Sequence, residues 1–190
     1  MPKRCSWCGS DPLYVSYHDT EWGIAVHDDR KLFEMLILEG AQAGLSWITV
    51  LRKRENYRQA LHGFDWDYLA GLSDAAVEAL MQNPGIIRNR LKIQSLVKNA
   101  KVAIALRREF GSLDHYFWGF VNHSPRVNFP SGIGDIPVRS EVSDALSKDL
   151  KKRGMNFVGS TIMYAFMQAV GMVDDHIVGC PAKKSGNQST

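Results

Sequence analysis

The chain has 190 residues, 45% of them hydrophobic and 23% charged, and its 23 lysines and arginines against 20 aspartates and glutamates leave a net charge of +3. This composition is ordinary for a soluble globular protein, and so mild a positive charge permits nucleic-acid binding without predicting it. No apolar run is long enough to span a membrane, and none follows Lys3 and Arg4 as in a signal peptide, so we expect neither kind of segment.

The first half of the chain carries several signals for the start of an α-helix, each a small polar residue just before an apolar periodic stretch. Asp28 or Asp29 is expected to cap a helix that begins near Arg30. Ser46 and Ser73 stand in the same position before the stretches WITVLRKRENYRQAL and DAAVEALMQ. Three consecutive helices are therefore predicted.

The second half continues the helical pattern. A long helix is expected from about Ile87 to Phe110, where Gly111 ends it. The stretch VSDALSKDLKKRG predicts another helix, with Ser143 as its possible cap and basic residues in its last turn. STIMYAFMQAVG is apolar nearly all round, which predicts a central buried helix that ends at Gly171. No alternating strand pattern of useful length occurs, so the predicted fold class is all-α.

One segment and the tail interrupt this helical pattern. Residues 122–140, NHSPRVNFPSGIGDIPVRS, are rich in proline, glycine and serine and predict a long irregular connection of the kind that is often functional. A boundary between two lobes is possible near it. We expect residues 1–180 to form a single domain of two helical lobes around one cleft, and residues 181–190 to form a disordered tail.

Glu39 stands in the most apolar window of the chain, LFEMLILEGAQAGLSW. Because a helix advances about 100° per residue, Glu39 falls between Leu32, Leu36 and Met35, whereas Glu34 falls on the opposite face. We therefore expect Glu34 to face outwards and Glu39 to face inwards. An inward carboxylate must be paired, protonated or placed in a cavity.

Two interpretations of Glu39 have about equal weight at this point. One is a structural ion pair or a curved helix that leaves the carboxylate in water. The other is a binding pocket, because Tyr14, Tyr17 and Trp22 precede Glu39 and Trp47 follows it. A carboxylate among aromatic faces suits a flat cation, which stacks on the rings and is attracted by their quadrupoles.

Cysteine and histidine residues near both ends of the chain form a candidate metal site. Three cysteines and no secretion signal predict a reducing, cytoplasmic location, where metal binding is favoured over a disulfide. His176 and Cys180 lie near one end, and Cys5 and His18 near the other; together they make a Cys2His2 set suited to structural zinc. A Cys3His set that uses Cys8 stays open, as do a free Cys180 and a surface His176.

A turn of helix-breaking residues joins two of the predicted helices. In LMQNPGIIRNRLKIQ, Pro84 and Gly85 end the first helix and the second follows at once, with Arg88 and Arg90 beside its N-terminal amides. Free amides and nearby cations bind phosphate, which is how a helix-hairpin-helix grips a DNA backbone. Ile87 replaces the second glycine of the usual hairpin, and an ordinary turn with solvated charges is the alternative.

Taken together, these stretches closely resemble the bacterial 3-methyladenine DNA glycosylase I family. The resemblance covers nearly the whole chain from Cys5 to Cys180, in the stretches DPLYVSYHDTEWG, KLFEMLILEGAQAGLSWITVLRKRENYR, GIIRNRLKI, FVNH, SDALSKDLKKRG, FVG, FMQAVG and DHIVGC. It implies an all-α helix-hairpin-helix glycosylase fold in which a zinc ion ties the two termini together.

The resemblance also implies roles for particular residues. It assigns the zinc ligands to Cys5, His18, His176 and Cys180. Glu39 matches the carboxylate that reads the base and is the one catalytic candidate, as a recognition residue rather than a general acid or base. The matching pocket aromatics are Tyr17 and Trp47, with Tyr14 and Trp22 nearby. The DNA-contact candidates are Leu45, which matches the residue inserted into the DNA, and Gly85, Ile86, Arg88 and Arg90 of the hairpin.

The implied activity is monofunctional excision of N3-methyladenine from alkylated double-stranded DNA. Methylation at N3 makes the base a cation and a good leaving group, so a flipped base held by Tyr17, Trp47 and Glu39 can be replaced by water, leaving an abasic site. The family lacks the aspartate that related glycosylases carry roughly twenty residues beyond the hairpin. In this chain the first aspartate after Gly85 is Asp114, which lies too far along to match it. We expect no lysine nucleophile and a monomer that binds DNA and 3-methyladenine but no membrane.

Three other functions are possible. The first is a zinc-stabilised nucleic-acid-binding module without catalysis, which Glu39 and the aromatic set disfavour. The second is a redox protein that uses Cys5 and Cys8, although the βαβ context of that motif is absent. The third is a hydrolase with a Ser–His pair, which lacks the usual G-x-S-x-G turn.

Overall fold

The computed structural model describes residues 4–183, which fold mainly into α-helices and so confirm the all-α class. Within this range the helices are α1 (Pro12–Thr20), α2 (Asp29–Gln42), α3 (Trp47–Ala60), α4 (Trp66–Ala70), α5 (Asp74–Gln82), α6 (Arg90–Phe110), α7 (Leu113–Gly119), α8 (Glu141–Lys152) and α9 (Ser160–Ala169). Two 3-10 turns, Ser6–Cys8 and Ile133–Asp135, and two short strands, β1 (Arg126–Val127) and β2 (Val173–Asp174), complete the regular structure.

Helix α2 lies at the centre of the fold, because α3, α6, α7 and α9 all pack against it. Every residue from Leu32 to Ala41 is buried. The prediction that Glu39 faces the interior is confirmed, whereas the prediction that Glu34 faces outwards is wrong, since Glu34 is only 7% exposed. Arg58 of α3 pairs with the Glu34 carboxylate and so covers the face opposite Glu39.

Three helices, α2, α3 and α5, begin directly after the predicted cap residues. The side chains of Asp28 and Ser73 each accept a hydrogen bond from a first-turn amide, which confirms both as caps. Ser46 directly precedes α3 as predicted, but its hydroxyl bonds to the hydroxyl of Thr49 rather than to a backbone amide.

Two predicted helix starts are wrong by about one turn, and in both cases a polar side chain that was overlooked sets the true start. Helix α8 begins before Ser143, because Ser140 caps it and exchanges hydrogen bonds with Ser143, which is buried. Helix α6 begins at Arg90 rather than at Ile87, because the side chain of Asn89 accepts a bond from a first-turn amide. The hairpin turn is therefore longer than predicted.

Both predicted glycine stops are confirmed. Gly111 follows α6 with φ +87°, and Gly171 follows α9 with φ +72°, a conformation that glycine adopts without steric cost. Gly171 also packs against the chain after α1, where a Cβ atom would lie 2.3 Å from the carbonyl carbon of Ile24. A side chain at Gly171 would therefore separate α9 from this part of the chain.

The irregular segment 122–140 is anchored to the segment that follows α9. Strands β1 and β2 pair in parallel, with Arg126 opposite Val173 and Val127 opposite Asp174. Further along, the carbonyl of Pro130 accepts a hydrogen bond from the amide of Val178. These bonds hold the segment beside α9, where it forms part of the cavity described below.

The two ends of the described chain approach each other around Cys5 and Cys180. Residues 181–183 form a turn in which the amide of Lys183 donates to the carbonyl of Cys180. The rest of the tail that we predict to be disordered, residues 184–190, lies outside the described residues, and the two-lobed domain of residues 1–180 stays a prediction. Among residues 4–183, no helix is both long enough and apolar enough to cross a membrane.

Candidate active site and metal centre

A cavity of about 400 Å³ lies between α1, α2, α3, α9 and the 122–140 segment. This volume falls within the range of small-molecule binding sites. The five residues predicted for a base pocket all line it: Tyr14, Tyr17, Trp22, Glu39 and Trp47. The structure thus brings together residues from three helices and from the turn after α1.

Sequence reasoning missed the rest of the cavity wall, which includes Trp7, Val138, Tyr164 and Gln168. Weak signals for these residues were present. The 122–140 segment, which contains Val138, was expected to be functional, and the stretch that contains Tyr164 and Gln168 was expected to be buried. Trp7 stands two residues after Cys5 of the candidate metal site. None of these signals indicated that the residues face a shared cavity.

Glu39 has no partner for its carboxyl group among residues 4–183, although it is only 4% exposed. Burial raises the pKa of Glu39 to about 8, because no cation or hydrogen bond from residues 4–183 offsets the lost hydration. The group reaches the cavity, so a ligand can supply the missing partner. The structural ion pair considered for Glu39 is absent from this part of the chain.

The aromatic side chains around Glu39 pack against one another. The ring centroids of Tyr17 and Trp47 are 5.4 Å apart, and the Trp7 ring lies 5.1 Å from Tyr14 and 4.9 Å from Trp22. Such contacts fix ring orientations before a ligand arrives. Burial raises the pKa of Tyr17 well above its usual value, so its hydroxyl stays a neutral donor.

Three of the four predicted metal ligands form a cluster. The ligand atoms of Cys5, His18 and Cys180 all lie within 4.8 Å of one another, and all three residues are buried. The fourth, His176, is adjacent, with its ring centroid 4.9 Å from that of His18. The thiol of Cys8 lies outside this cluster and donates to the carbonyl of Cys5, so the Cys3His alternative loses support.

The donor set of this cluster fits zinc. Thiolates and imidazoles are its preferred ligands. The Nδ1 atoms of His18 and His176 lie 2.6 Å and 2.8 Å from the carboxylates of Asp19 and Asp174, so each ring turns its Nε2 away from the carboxylate. Nε2 of His18 lies 3.6 Å from Sγ of Cys180. Burial raises the pKa of the Cys5 thiol to about 12, so a cation is needed to hold it as a thiolate. Buried thiols with raised pKa values also disfavour the redox alternative.

The hairpin turn is held rigidly against α3. The side chain of Asn83 accepts a bond from the amide of Gly85, and the hydroxyl of Tyr57 accepts one from the amide of Ile87. Lys53 of α3 donates to the carbonyl of Pro84. The turn therefore has a defined shape, as a phosphate-binding loop requires.

The predicted DNA-contact residues differ in their surroundings. Arg88 is exposed and forms no salt bridge within the described range, whereas Arg90 pairs with Glu78. Ile86 is buried, and its amide donates to the carbonyl of Asn83. Leu45 is 43% exposed at the tip of the turn between α2 and α3. Lys92 of α6 holds this turn by donating to the carbonyls of Ala41 and Ala43, 2.8 Å and 2.6 Å away.

Comparisons with known proteins place this arrangement in context. Residues 7–184 match the model of a family described as methyladenine glycosylase. DNA-3-methyladenine glycosylase 1 of Escherichia coli is 52% identical over 178 residues, which are 94% of this chain and 95% of that protein. A crystal structure of 3-methyladenine DNA glycosylase I superposes with a TM-score of 0.93 at 51% identity, covering 96% of this chain and all of that one. A structure described as the basis of 3-methyladenine recognition by the Staphylococcus aureus enzyme also reaches 0.93, at 33% identity, over 96% of this chain and 97% of that chain.

Proposed function

The chain belongs to the methyladenine glycosylase family, and we propose that it excises N3-methyladenine from alkylated double-stranded DNA by hydrolysis, leaving an abasic site. One observation carries the proposal: the carboxyl group of Glu39 faces an aromatic cavity without a partner in the described chain. A buried carboxyl group without a partner favours a cationic ligand, and the aromatic walls favour a flat one. N3-methyladenine in DNA is both flat and positively charged.

The bound base stacks on Tyr17 and Trp47 while Glu39 accepts a hydrogen bond from its edge. Stacking supplies contact area, and the ring quadrupoles favour positive charge. The raised pKa of Glu39 means that its carboxyl group is largely protonated at neutral pH when the cavity holds no cation. The arrival of a cationic base favours the carboxylate, so binding at neutral pH is accompanied by proton release.

The base reaches the cavity only after the nucleotide has turned out of the double helix. Leu45 enters the space that the base leaves, because it is an exposed apolar side chain on a turn fixed by Lys92. The exposed side chain of Arg88 holds a neighbouring phosphate, whereas the amides of Gly85, Ile86 and Ile87 already donate to Asn83 and Tyr57 and serve to shape the turn. These contacts set the position of the DNA without reading its sequence.

The cleavage step needs little help from acid or base groups. The bond between the sugar carbon and the base breaks, its electron pair neutralises the positive charge of the base, and a water oxygen bonds to the sugar carbon and loses a proton to solvent. The first acidic residue on α6 after its N-terminus is Glu109, which is exposed and paired with Arg153. No lysine of the described chain lines the cavity, so no covalent intermediate forms and the DNA strand stays intact.

A structural zinc ion held by Cys5, His18, His176 and Cys180 completes the proposal. Such an ion joins the N-terminal segment, which supplies Trp7 and α1 to the cavity, to the segment after α9. Because it closes a loop of nearly the whole chain, it restricts the unfolded state strongly. Cys5→Ser should therefore remove the metal and lower the melting temperature, whereas Cys8→Ser, the matched control, should change neither. Equal metal content in both variants would refute the ligand set.

Release of the base is the decisive experiment. The purified, metal-loaded protein is incubated with DNA methylated by a simple alkylating agent, and the freed bases are separated by chromatography. We expect 3-methyladenine in the soluble fraction and an equal number of abasic sites in DNA whose strands are not cut. If the folded protein binds this DNA and releases no base, the proposed activity is wrong and the protein is a nucleic-acid-binding module without catalysis.

We also propose that the protein acts as a monomer in the reducing environment of the cytoplasm. The three free, buried cysteines are compatible with that setting. Gel filtration with light scattering at assay concentration should give a mass near 21.3 kDa. A stable dimer would contradict this part of the proposal without affecting the activity.

A further inference from the structure

Asp175 is a buried carboxylate to which the family-based proposal above gives no role. It is 1% exposed and accepts three hydrogen bonds from side chains. The donors are Nδ2 of Asn128 at 2.7 Å, the hydroxyl of Tyr164 at 2.6 Å and Nε2 of Gln168 at 2.8 Å. Two of these donors, Tyr164 and Gln168, belong to α9 and line the cavity that contains Glu39.

The bond to Asp175 determines which way the amide of Gln168 faces. The NH₂ nitrogen Nε2 of this amide lies 2.8 Å from Oδ2 of Asp175 and donates to it, so the NH₂ group is turned towards Asp175. The carbonyl oxygen Oε1 then lies on the other side of the amide. Within residues 4–183 no donor bonds to Oε1. Because Oε1 is not one of the unbonded side-chain atoms that are inaccessible to solvent, it is an accessible acceptor. Since Gln168 lines the cavity and Asp175 does not, Oε1 is available to a ligand there.

Oε1 of Gln168 then joins the Glu39 carboxyl group among the hydrogen-bond acceptors of the cavity, which is also lined by the amide of Gln42. An adenine-type base presents an amino group, a donor, at the position where a guanine-type base presents a carbonyl oxygen, an acceptor. Acceptors fixed in the pocket pair with the first and oppose the second. A site that is built to bond a donor rejects a ligand that lacks one more strongly than an apolar wall does.

We propose that Gln168 is a specificity-determining residue, held by Asp175 with its carbonyl oxygen towards the base, and that it favours N3-methylated adenine over N3-methylated guanine. This inference rests on the proposed function. Asp175 is a positioning residue in this scheme, because it acts on the base through the Gln168 amide. Its bond to Asn128 also attaches the 122–140 segment, so variants of Asp175 alone cannot separate positioning from stability.

Gln168→Met is the direct test, because methionine is of similar length and lacks the amide. Free 3-methyladenine and free 3-methylguanine are titrated separately into the parent and the variant by calorimetry. The loss of one hydrogen bond should weaken 3-methyladenine binding by about tenfold, and 3-methylguanine binding should change by less than about twofold. Asn128→Ala is the matched control, since it removes another bond to Asp175 and should leave the ratio of the two affinities unchanged.

A double-mutant cycle tests the role of Asp175. Asp175→Asn lets the Gln168 amide turn over and should reduce the preference for 3-methyladenine in the parent, but not in the Gln168→Met background. An equal additional loss in both backgrounds would show that Asp175 has only a structural role. This comparison uses affinity ratios between two ligands, so a moderate loss of stability does not obscure it.

One outcome overturns the inference: a ratio of the two affinities in Gln168→Met that equals the ratio in the parent, whether both affinities stay the same or both fall equally. If the parent binds and excises 3-methyladenine but Gln168→Met leaves the ratio of the two affinities unchanged, only the proposed role of Gln168 is wrong. If the parent neither binds nor releases 3-methyladenine, the proposed function itself fails.

Discussion

Helix α2 carries two buried glutamates, and their surroundings are opposite. Glu34 is bonded by both Lys31 and Arg58, with N–O distances of 2.9 Å and 2.7 Å, whereas Glu39 has no bonded partner in residues 4–183. Burial raises the pKa of Glu34, but the hydrogen bonds from Arg58 and Lys31 outweigh it and hold the pKa below its ordinary value. The pKa of Glu39 rises to about 8.

The difference shows that burial alone does not identify a functional carboxylate. Both residues lie on the same helix and are 7% and 4% exposed, yet only Glu39 lacks a bonded partner in residues 4–183. A buried charge without a partner reduces stability, and such a cost is found mainly where a ligand supplies the missing interaction. Glu34 therefore supports the structure, and Glu39 is free to bind.

Glu39→Gln should have the largest effect on function. It keeps the shape of the side chain but removes the negative charge, so 3-methyladenine excision and the affinity for the base should fall roughly 10- to 100-fold. The melting temperature at pH 8 should be equal to or higher than that of the parent, because no buried carboxylate remains. Unchanged affinity in a titration would exclude Glu39 from base recognition.

Glu34→Gln should show the reverse pattern. It removes the charge that Arg58 and Lys31 share, and we expect the free energy of unfolding to fall by about 2 kcal/mol. The affinity of the folded protein for 3-methyladenine should not change, because Glu34 does not line the cavity. Urea denaturation and base titration on the same sample measure both quantities. A loss of affinity as large as that of Glu39→Gln would contradict the division between the two residues.

The pH dependence of stability separates the two glutamates further. Between about pH 4.5 and 8, Glu39 is protonated in the folded state and ionised in the unfolded state. Folding then takes up a proton, so stability is greatest below this window and falls as pH rises, by about 1.4 kcal/mol per pH unit at most. Glu34, with its lowered pKa, contributes a constant stability in this window and loses it only in more acidic solution.

The measurement is chemical denaturation of the parent and of Glu39→Gln at pH 6 and pH 7. The difference between the two proteins isolates Glu39 from histidines that titrate in the same range. We expect the stability of the parent to decrease relative to that of the variant by about 1 kcal/mol over this interval. Parallel pH profiles would mean that the carboxyl group is already ionised in the free protein.

Arg58→Lys should have the smallest effect. The lysine keeps the positive charge but loses the forked geometry with which Arg58 contacts both oxygens of Glu34. We expect a loss of about 0.5 kcal/mol in unfolding free energy and no change in excision. A loss as large as that of Glu34→Gln would mean that geometry, rather than charge, holds this pair together.

Local sequence patterns were sufficient for much of the fold. Asp28, Ser73, Gly111 and Gly171 act within one helical turn of their own positions, and each behaves as predicted. Helical periodicity also predicted that Glu39 faces inwards. The periodic argument failed for Glu34, because it assumed that the other face of α2 meets water, and no local pattern indicates that Arg58 covers it.

The candidate site divides in the same way. Residue type and the family resemblance predict its aromatic residues near Glu39 and its four candidate metal ligands, and the structure brings the aromatic set to one cavity. Trp7, Tyr164 and Gln168 are not predicted in this way, because their position depends on contacts between distant segments. Asn128, for example, reaches the site only because β1 pairs with β2.

Six of the nine helices in residues 4–183, several of their caps, the inward carboxylate and the family follow from the sequence alone, whereas α1, α4 and α7 were not predicted. Tertiary structure decided which carboxylate has a partner, which cations remain free near the hairpin and which way the Gln168 amide faces. The physical reason is the distance along the chain over which each kind of interaction acts. Helix periodicity and capping act over a few residues, whereas ion pairs and hydrogen bonds between packed elements depend on residues far apart in the chain, such as Asn128 and Asp175.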